Sequence, residues 1–125
     1  TIATFEKTLV TPSKFDKFLS GNDKTLSKEE KEGLNTFIDK GCASCHTGIA
    51  LGGTMQPFEL AAKYKFTSVG DFKGDAQGMV KTPTLRNITE TAPYFHNGQI
   101  WSLNDAVKEM GSVQLGITIT DAEAS

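Results

Sequence analysis

Two cysteines and a histidine lie within five consecutive residues, Cys42, Cys45 and His46, in the segment Cys-Ala-Ser-Cys-His. They are the only cysteines of the chain and one of its two histidines. Thiols at positions i and i+3 can reach the two vinyl groups on one edge of a porphyrin, while the imidazole that follows lies over the ring face and can bind the iron. The segment therefore predicts one covalently attached haem c, with His46 as an axial ligand of its iron.

Three other uses of paired thiols fit the sequence less well than haem does: a disulfide, a zinc site and a dithiol redox pair. Zinc usually takes four nitrogen or sulfur ligands, and the only other histidine, His96, lies far along the chain. A thioredoxin-type pair is expected in a βαβ setting, whereas this sequence shows helical patterns and loops. Thioether attachment takes place on the outer side of the bacterial inner membrane, so the motif also predicts a periplasmic protein.

The sixth iron position decides what such a haem can do. A methionine or histidine ligand there makes an electron carrier, whereas an open position admits peroxide. The candidates are Met55, Met79, Met110 and His96. Met110 completes the apolar stripe of a predicted helix, where core packing is the commoner role, and each of the others also has an ordinary structural interpretation. From the residue patterns alone the choice among them stays open.

The elements that must position these residues are helices. Ser27 to Glu30 has the form of a capping box and predicts a helix that runs to about Lys40 and is ended by Gly41. Ser102 predicts the start of a later helix, whose apolar stripe is Leu103, Ala106, Val107 and Met110. Shorter helices are expected from Ile2 to Leu9 and around Phe15 to Leu19, and residues 48–78 read as a long loop with one short helix or strand. We therefore predict an all-α, cytochrome c-like fold with long loops.

Length and charge bound the class of protein. The chain has 125 residues, is 38% hydrophobic and carries a formal charge of −2, so we predict a single domain over residues 1–125 and no nucleic-acid partner. No apolar run approaches the ~18 residues that suggest a membrane span. Thr120 to Glu123 is a second capping box close to the chain end, so we expect the final helix of the domain to be missing from this sequence.

Longer motifs extend the haem signature over almost the whole chain. These motifs are Ala3 to Pro12, Phe15 to Gly21, Gly41 to His46 with Gly48, Gly52 and Gly53, Pro83 to Asn87, Thr91 to Gly98, Met110-Gly111 and Gln114 to Gly116. Together they resemble the C-terminal haem domain of the bacterial dihaem cytochrome c peroxidases, a family that includes the MauG-type enzymes.

The resemblance implies roles for individual residues. Met110 matches the methionine that is the distal iron ligand in the peroxidases, a position at which the MauG branch carries tyrosine. Arg86 and His96 are expected near the haem edge, with Arg86 pairing a propionate. Backbone carbonyls of Thr91 and Pro93 are expected to contribute to a calcium site. Our expected haem-pocket wall consists of Phe37, Ile38, Leu51, Leu85, Tyr94, Phe95 and Val107.

The resemblance also implies a function. In the family this haem accepts electrons from a small donor cytochrome c or cupredoxin and relays them to an N-terminal peroxidatic haem domain, which reduces hydrogen peroxide to water. With methionine on the iron, this chain alone is expected to carry electrons only and to hold no catalytic residue, and a homodimer is expected for the full-length protein. Two alternatives are a free-standing monohaem electron carrier and a monohaem enzyme in which peroxide reaches the iron under the control of His96.

Overall fold

A computed structural model describes residues 1–6, 8–9, 11–57 and 74–125. The helices in these ranges are α1 (Ile2–Glu6), α2 (Lys14–Leu19), α3 (Lys28–Asp39), α4 (Leu103–Met110) and α5 (Asp121–Ala124). They are supplemented by 3₁₀ turns at Cys42–Ser44 and Ile88–Glu90 and by a π-helical turn at Gly111–Leu115. The chain divides into two compact units, Thr1–Asn35 and Thr36–Ser125.

In the first unit, side-chain caps fix where the helices begin. The Ser13 side chain accepts a hydrogen bond from the backbone N–H of Asp16, whose carboxylate accepts from the backbone N–H of Ser13 at 2.7 Å. Ser27 and Glu30 make the same reciprocal pair at the start of α3, at 2.8 and 3.2 Å, which confirms the predicted capping box. Lys14 forms an ion pair with Glu30. Local sequence signals thus determine where the helices of this unit begin.

The second unit has a small apolar core around Tyr94, Ile100 and Ala106. The backbone N–H of Tyr94 donates to the carbonyl of Ile100 at 2.6 Å, and its hydroxyl donates to the carbonyl of Ile88 at 2.9 Å. The phenol therefore contributes apolar area to the core without leaving its hydroxyl unpaired. Leu103 of α4 packs on the same core, which ties that helix to the turn before it.

Ser102 caps the start of α4, as predicted, because the serine side chain accepts a hydrogen bond from the backbone N–H of Asp105 at 3.3 Å. The helix ends at Met110. Gly111 follows, and a Cβ there would lie 2.5 Å from Cδ1 of the buried Ile119, so the glycine allows the following chain to pack closely.

Ion pairs connect α5 to the elements around it. The predicted capping box of Thr120 and Glu123 is formed and starts α5. Glu123 also pairs with Lys40 at 2.8 Å, and Asp121 pairs with Lys108 of α4 at 2.8 Å. The short helix therefore contacts both the segment after α3 and the helix that ends at Met110.

The expectation of an all-α fold is wrong in one respect. β1 (Met55–Pro57) and β2 (Met79–Lys81) form an antiparallel two-stranded sheet, with Gln56 opposite Val80. β1 lies in the predicted loop of residues 48–78, where one short helix or strand was expected. Its pairing with β2 was not predicted, because three-residue strands are too short to show an alternating apolar pattern. The architecture is otherwise helices and loops. Residues 58–73, which belong to the predicted long loop, lie outside the described residues. No helix in the described ranges is long and apolar enough to cross a membrane.

Candidate haem-binding site

The Cys-x-x-Cys-His segment forms one tight turn directly after α3. Gly41 adopts φ 87°, which lets the chain reverse after the helix, and residues Cys42–Ser44 then form a 3₁₀ turn. The backbone N–H of His46 donates to the carbonyl of Cys42 at 3.1 Å. This local bonding places both thiols and the imidazole on a single turn, as attachment along one porphyrin edge requires.

Both cysteines are free thiols and half-buried. Burial raises the pKa of the Cys42 thiol, so this group is held in its neutral form around neutral pH. No group of three or more His, Cys, Asp or Glu side chains that could hold a metal ion occurs within the described ranges. The described residues thus offer no ready-made zinc site for these thiols.

The imidazole of His46 is fixed in one orientation. Its Nδ1 lies 3.1 Å from the carbonyl oxygen of Leu51. A carbonyl oxygen can only accept, so Nδ1 carries the proton and the lone pair of Nε2 is available to a metal. The ring of Phe37 lies beside the imidazole, with ring centroids 6.4 Å apart and an interplanar angle of 56°. These contacts give His46 the tautomer and the support that an iron ligand needs.

The loop that supplies the carbonyl of Leu51 is held by a distant segment of chain, residues 82–86. The Thr84 hydroxyl donates to the carbonyl of Ala50 at 2.5 Å, and Nε of Arg86 donates to the carbonyl of Ile49 at 2.8 Å. Sequence reasoning missed Thr84 altogether and did not foresee this partner for Arg86. The only signal for either was that both residues lie in the Pro83 to Asn87 motif.

Gly52 is required where these two segments meet. Its φ is 152°, and a Cβ on this residue would lie 2.3 Å from the carbonyl oxygen of Pro83. The neighbouring Gly53 has φ 98°, but a Cβ there would meet nothing within 4 Å, and its N–H donates to the carbonyl of Thr82 at 2.7 Å. Only glycine at position 52 allows this close backbone approach.

The candidates for the sixth iron position lie in different elements. Met110 is the last residue of α4 and is half-buried, whereas His96 is exposed in the turn that follows Tyr94. Met55 is 49% exposed on β1, and Met79 is half-buried on β2. Iron ligation by Met110 and a position of His96 at the haem edge stay predictions.

The expected calcium ligands lie in an exposed turn. Thr91 and Pro93 are both exposed, and the peptide bond between Ala92 and Pro93 is cis. The calcium role of their carbonyls stays a prediction.

Taken together, the residues of the turn suit a covalent haem. Two thiols of correct spacing, an imidazole with Nε2 available and half-buried apolar side chains occur in one unit of the chain. The half-buried apolar residues from our expected pocket wall are Phe37, Leu51, Leu85, Phe95 and Val107. Ile38 differs, since it is 54% exposed, and Tyr94 is already part of the small core.

Comparison with known proteins agrees with this geometry. The chain is 44% identical over 126 residues to the cytochrome c551 peroxidase of Pseudomonas aeruginosa, in an alignment that covers 92% of this chain and 36% of that protein. It is 42% identical to the cytochrome c551 peroxidase of Nitrosomonas europaea, covering 99% of this chain and 40% of that protein. The methylamine utilization protein MauG of Methylorubrum extorquens is 30% identical, covering 82% of this chain and 31% of that protein.

The predicted resemblance to peroxidases and MauG proteins is therefore confirmed, although the chain spans well under half the length of these relatives. Residues 30–120, which include the Cys-x-x-Cys-His turn, α4 and Met110, match the family model "Cytochrome c". Membership implies a haem c cofactor and electron transfer. The chain belongs to the cytochrome c family.

Proposed function

We propose that this chain is the electron-transfer haem domain of a periplasmic cytochrome c peroxidase. It accepts single electrons from a small cytochrome c or cupredoxin and relays them to an N-terminal haem domain, where hydrogen peroxide is reduced to water. The observation that carries the proposal is the hydrogen bond from His46 Nδ1 to the carbonyl of Leu51, since it prepares Nε2 for iron on the same turn as both thiols.

The chain's own residues divide the work of holding the cofactor. The Sγ atoms of Cys42 and Cys45 would attach it, and His46 and Met110, the last residue of α4, would be the ligands of its iron. Haem c supplies a one-electron redox couple. With two protein side chains as ligands, the iron would have no open position for peroxide, and the same residues would hold it in both oxidation states. The domain therefore carries electrons rather than turning over peroxide.

The similarity to cytochrome c551 peroxidases supports the wider part of the proposal. The aligned region takes in 92% to 99% of this chain and 36% to 40% of those relatives, which suits one domain of a larger enzyme. We carry over the calcium site at Thr91 and Pro93, the haem-edge positions of His96 and Arg86, and a homodimer of the full-length protein as parts of the same proposal.

The test compares the reduced holo-domain with its Met110→Ala variant for carbon monoxide binding and for peroxide consumption. The parent is expected to bind carbon monoxide slowly and to consume little peroxide in the presence of an electron donor, and Met110→Ala is expected to bind carbon monoxide rapidly. Met55→Ala is the matched control, because Met55 is a half-exposed methionine on β1. Rapid carbon monoxide binding and efficient peroxide turnover by the parent would overturn the relay and favour a monohaem peroxidase.

A further inference from the structure

Three consecutive carbonyl oxygens, those of Ile49, Ala50 and Leu51, each accept one side-chain hydrogen bond. The donors are Nε of Arg86 at 2.8 Å, the hydroxyl of Thr84 at 2.5 Å and Nδ1 of His46 at 3.1 Å. We call residues 49–51 the carbonyl ladder. Two of its three carbonyls are thus held by the segment 82–86, and the third holds the imidazole.

We propose that Arg86 and Thr84 are positioning residues that set the electron donation of His46 to iron by holding the carbonyl ladder in place. The proposal rests on the proposed function only in that it takes His46 as an iron ligand. A carbonyl that accepts a hydrogen bond from Nδ1 makes the imidazole more basic, which favours ferric iron. Any movement of that carbonyl therefore changes the reduction potential.

The ladder needs such support because side-chain packing and backbone preference do little to fix its conformation. Ile49 is 89% exposed, so its side chain contributes little packing, and Leu51 adopts φ 49°, which is unfavourable for a residue with a Cβ. Within the loop, Leu51 N–H donates to the carbonyl of Gly48 and Gly52 N–H donates to that of Thr47. Arg86 and Thr84 add bonds from outside the loop, and these fix the direction of its carbonyls.

A matched pair of variants separates this role from the role of the Arg86 charge. In Arg86→Gln the amide Nε2 is attached to Cδ, as Nε of arginine is, so the donor to Ile49 is kept and the positive charge is lost. In Arg86→Met the side chain reaches as far as that of glutamine, and both donor and charge are lost. If Arg86 acts through the ladder, Arg86→Gln preserves the solvent exchange rate of the His46 Nδ1 proton and Arg86→Met does not. If Arg86 acts by its charge on a propionate, both variants shift the reduction potential alike.

Thr84 gives a second test of the same ladder, and its hydroxyl also accepts a hydrogen bond from the backbone N–H of Arg86 at 3.2 Å. Thr84→Ser keeps the hydroxyl that donates to Ala50, and Thr84→Val removes it with almost no change of shape. Thr89→Val is the control, because the Thr89 hydroxyl bonds only its exposed neighbour Glu90 among the described residues. A propionate role for Arg86 predicts no effect of Thr84→Val on the redox couple.

Two quantities are measured on each holo-domain: the reduction potential, and the solvent exchange rate of the His46 Nδ1 proton, followed by NMR in the ferrous state. We expect Arg86→Met and Thr84→Val each to accelerate exchange about fivefold, the effect of one typical hydrogen bond, and to raise the potential. Arg86→Gln, Thr84→Ser and Thr89→Val are expected to match the wild type in exchange rate.

The results distinguish failure of the ladder from failure of the proposed function. Unchanged exchange and potential in both Arg86→Met and Thr84→Val, or equal shifts in Arg86→Gln and Arg86→Met, would overturn the ladder while leaving His46 as ligand. If Thr84→Val does not fold, the contrast between Arg86→Gln and Arg86→Met decides alone. A wild-type spectrum without a bound His46 would instead contradict the haem assignment itself.

Discussion

The carbonyl oxygen of Leu51 accepts a hydrogen bond from Nδ1 of His46, 3.1 Å away, and Leu51 itself adopts φ 49°. A leucine is unfavourable in this left-handed region, and such residues persist only where the surroundings hold them. Here the strained residue is the one that selects the histidine tautomer. The conformation of the loop after the Cys-x-x-Cys-His turn is therefore part of the proposed iron site.

The first prediction concerns the glycine pair after Leu51. Gly52→Ala is expected to destabilise the protein by about 1–3 kcal/mol, because the new Cβ would overlap backbone atoms of Pro83 at a φ of 152°. Gly53→Ala has only the conformational cost, since nothing lies within 4 Å of its Cβ position. Urea unfolding of the two holo-variants measures the difference, and equal stability of both would contradict the close approach.

A second prediction concerns the start of the helix that carries Met110. Ser102→Ala is expected to lower the free energy of unfolding by about 1 kcal/mol, because it leaves the backbone N–H of Asp105 without its side-chain acceptor. Ser102→Asp keeps an acceptor at the N-cap and serves as the control. Thermal unfolding of both variants checks the cap, and a loss of equal size in Ser102→Asp would show that the capping oxygen is not responsible.

The third prediction is a pH dependence from α5. The hydrogen bond from Lys40, followed by those from Thr120, lowers the pKa of Glu123 from 4.5 to about 2. Because the unfolded state then binds the proton more readily than the folded state, Glu123 stabilises the fold fully above pH ~4.5, and this contribution is lost as the pH falls toward ~2.

The matching measurement follows the free energy of unfolding of wild type and Glu123→Gln across this range. Glutamine still suits the capping box, so the variant isolates the charge. The wild type should be the more stable protein at pH ~6, and the gap should close as the pH approaches ~2. Lys40→Met removes the partner and should reduce the loss of stability caused by Glu123→Gln. A gap that does not depend on pH or on Lys40 would contradict the ion pair.

Local signals in the sequence predicted most of the helices. Ser27 and Ser102 each cap the helix that their spacing indicated, because a cap depends only on residues within one turn. Thr120 also caps a short helix, α5, although we expected the final helix to be missing. The first predicted helix was too long, since it ends at Glu6 rather than continuing to Leu9. Boundaries depend on weak terminal interactions, which residue type alone does not determine.

Features that depend on distant chain segments could not be predicted in the same way. The pairing of Met55–Pro57 with Met79–Lys81 joins two strands too short to show a pattern. The partners of Thr84 and Arg86 are backbone carbonyls more than thirty positions away, and every residue has a carbonyl. The sequence therefore predicted Cys42, Cys45 and His46 as the site but not the loop that orients the imidazole.

The far-red absorption spectrum of the oxidised holo-domain tests directly whether Met110 binds the iron, because charge transfer from a methionine sulfur to ferric iron appears there. We expect a charge-transfer band in the parent and in Met55→Ala, and its loss in Met110→Ala. That result would establish the ligand pair of His46 and Met110 and hence an electron relay. A parent without the band, with a high-spin spectrum that changes when peroxide is added, would contradict the relay and show a haem that reacts with peroxide itself.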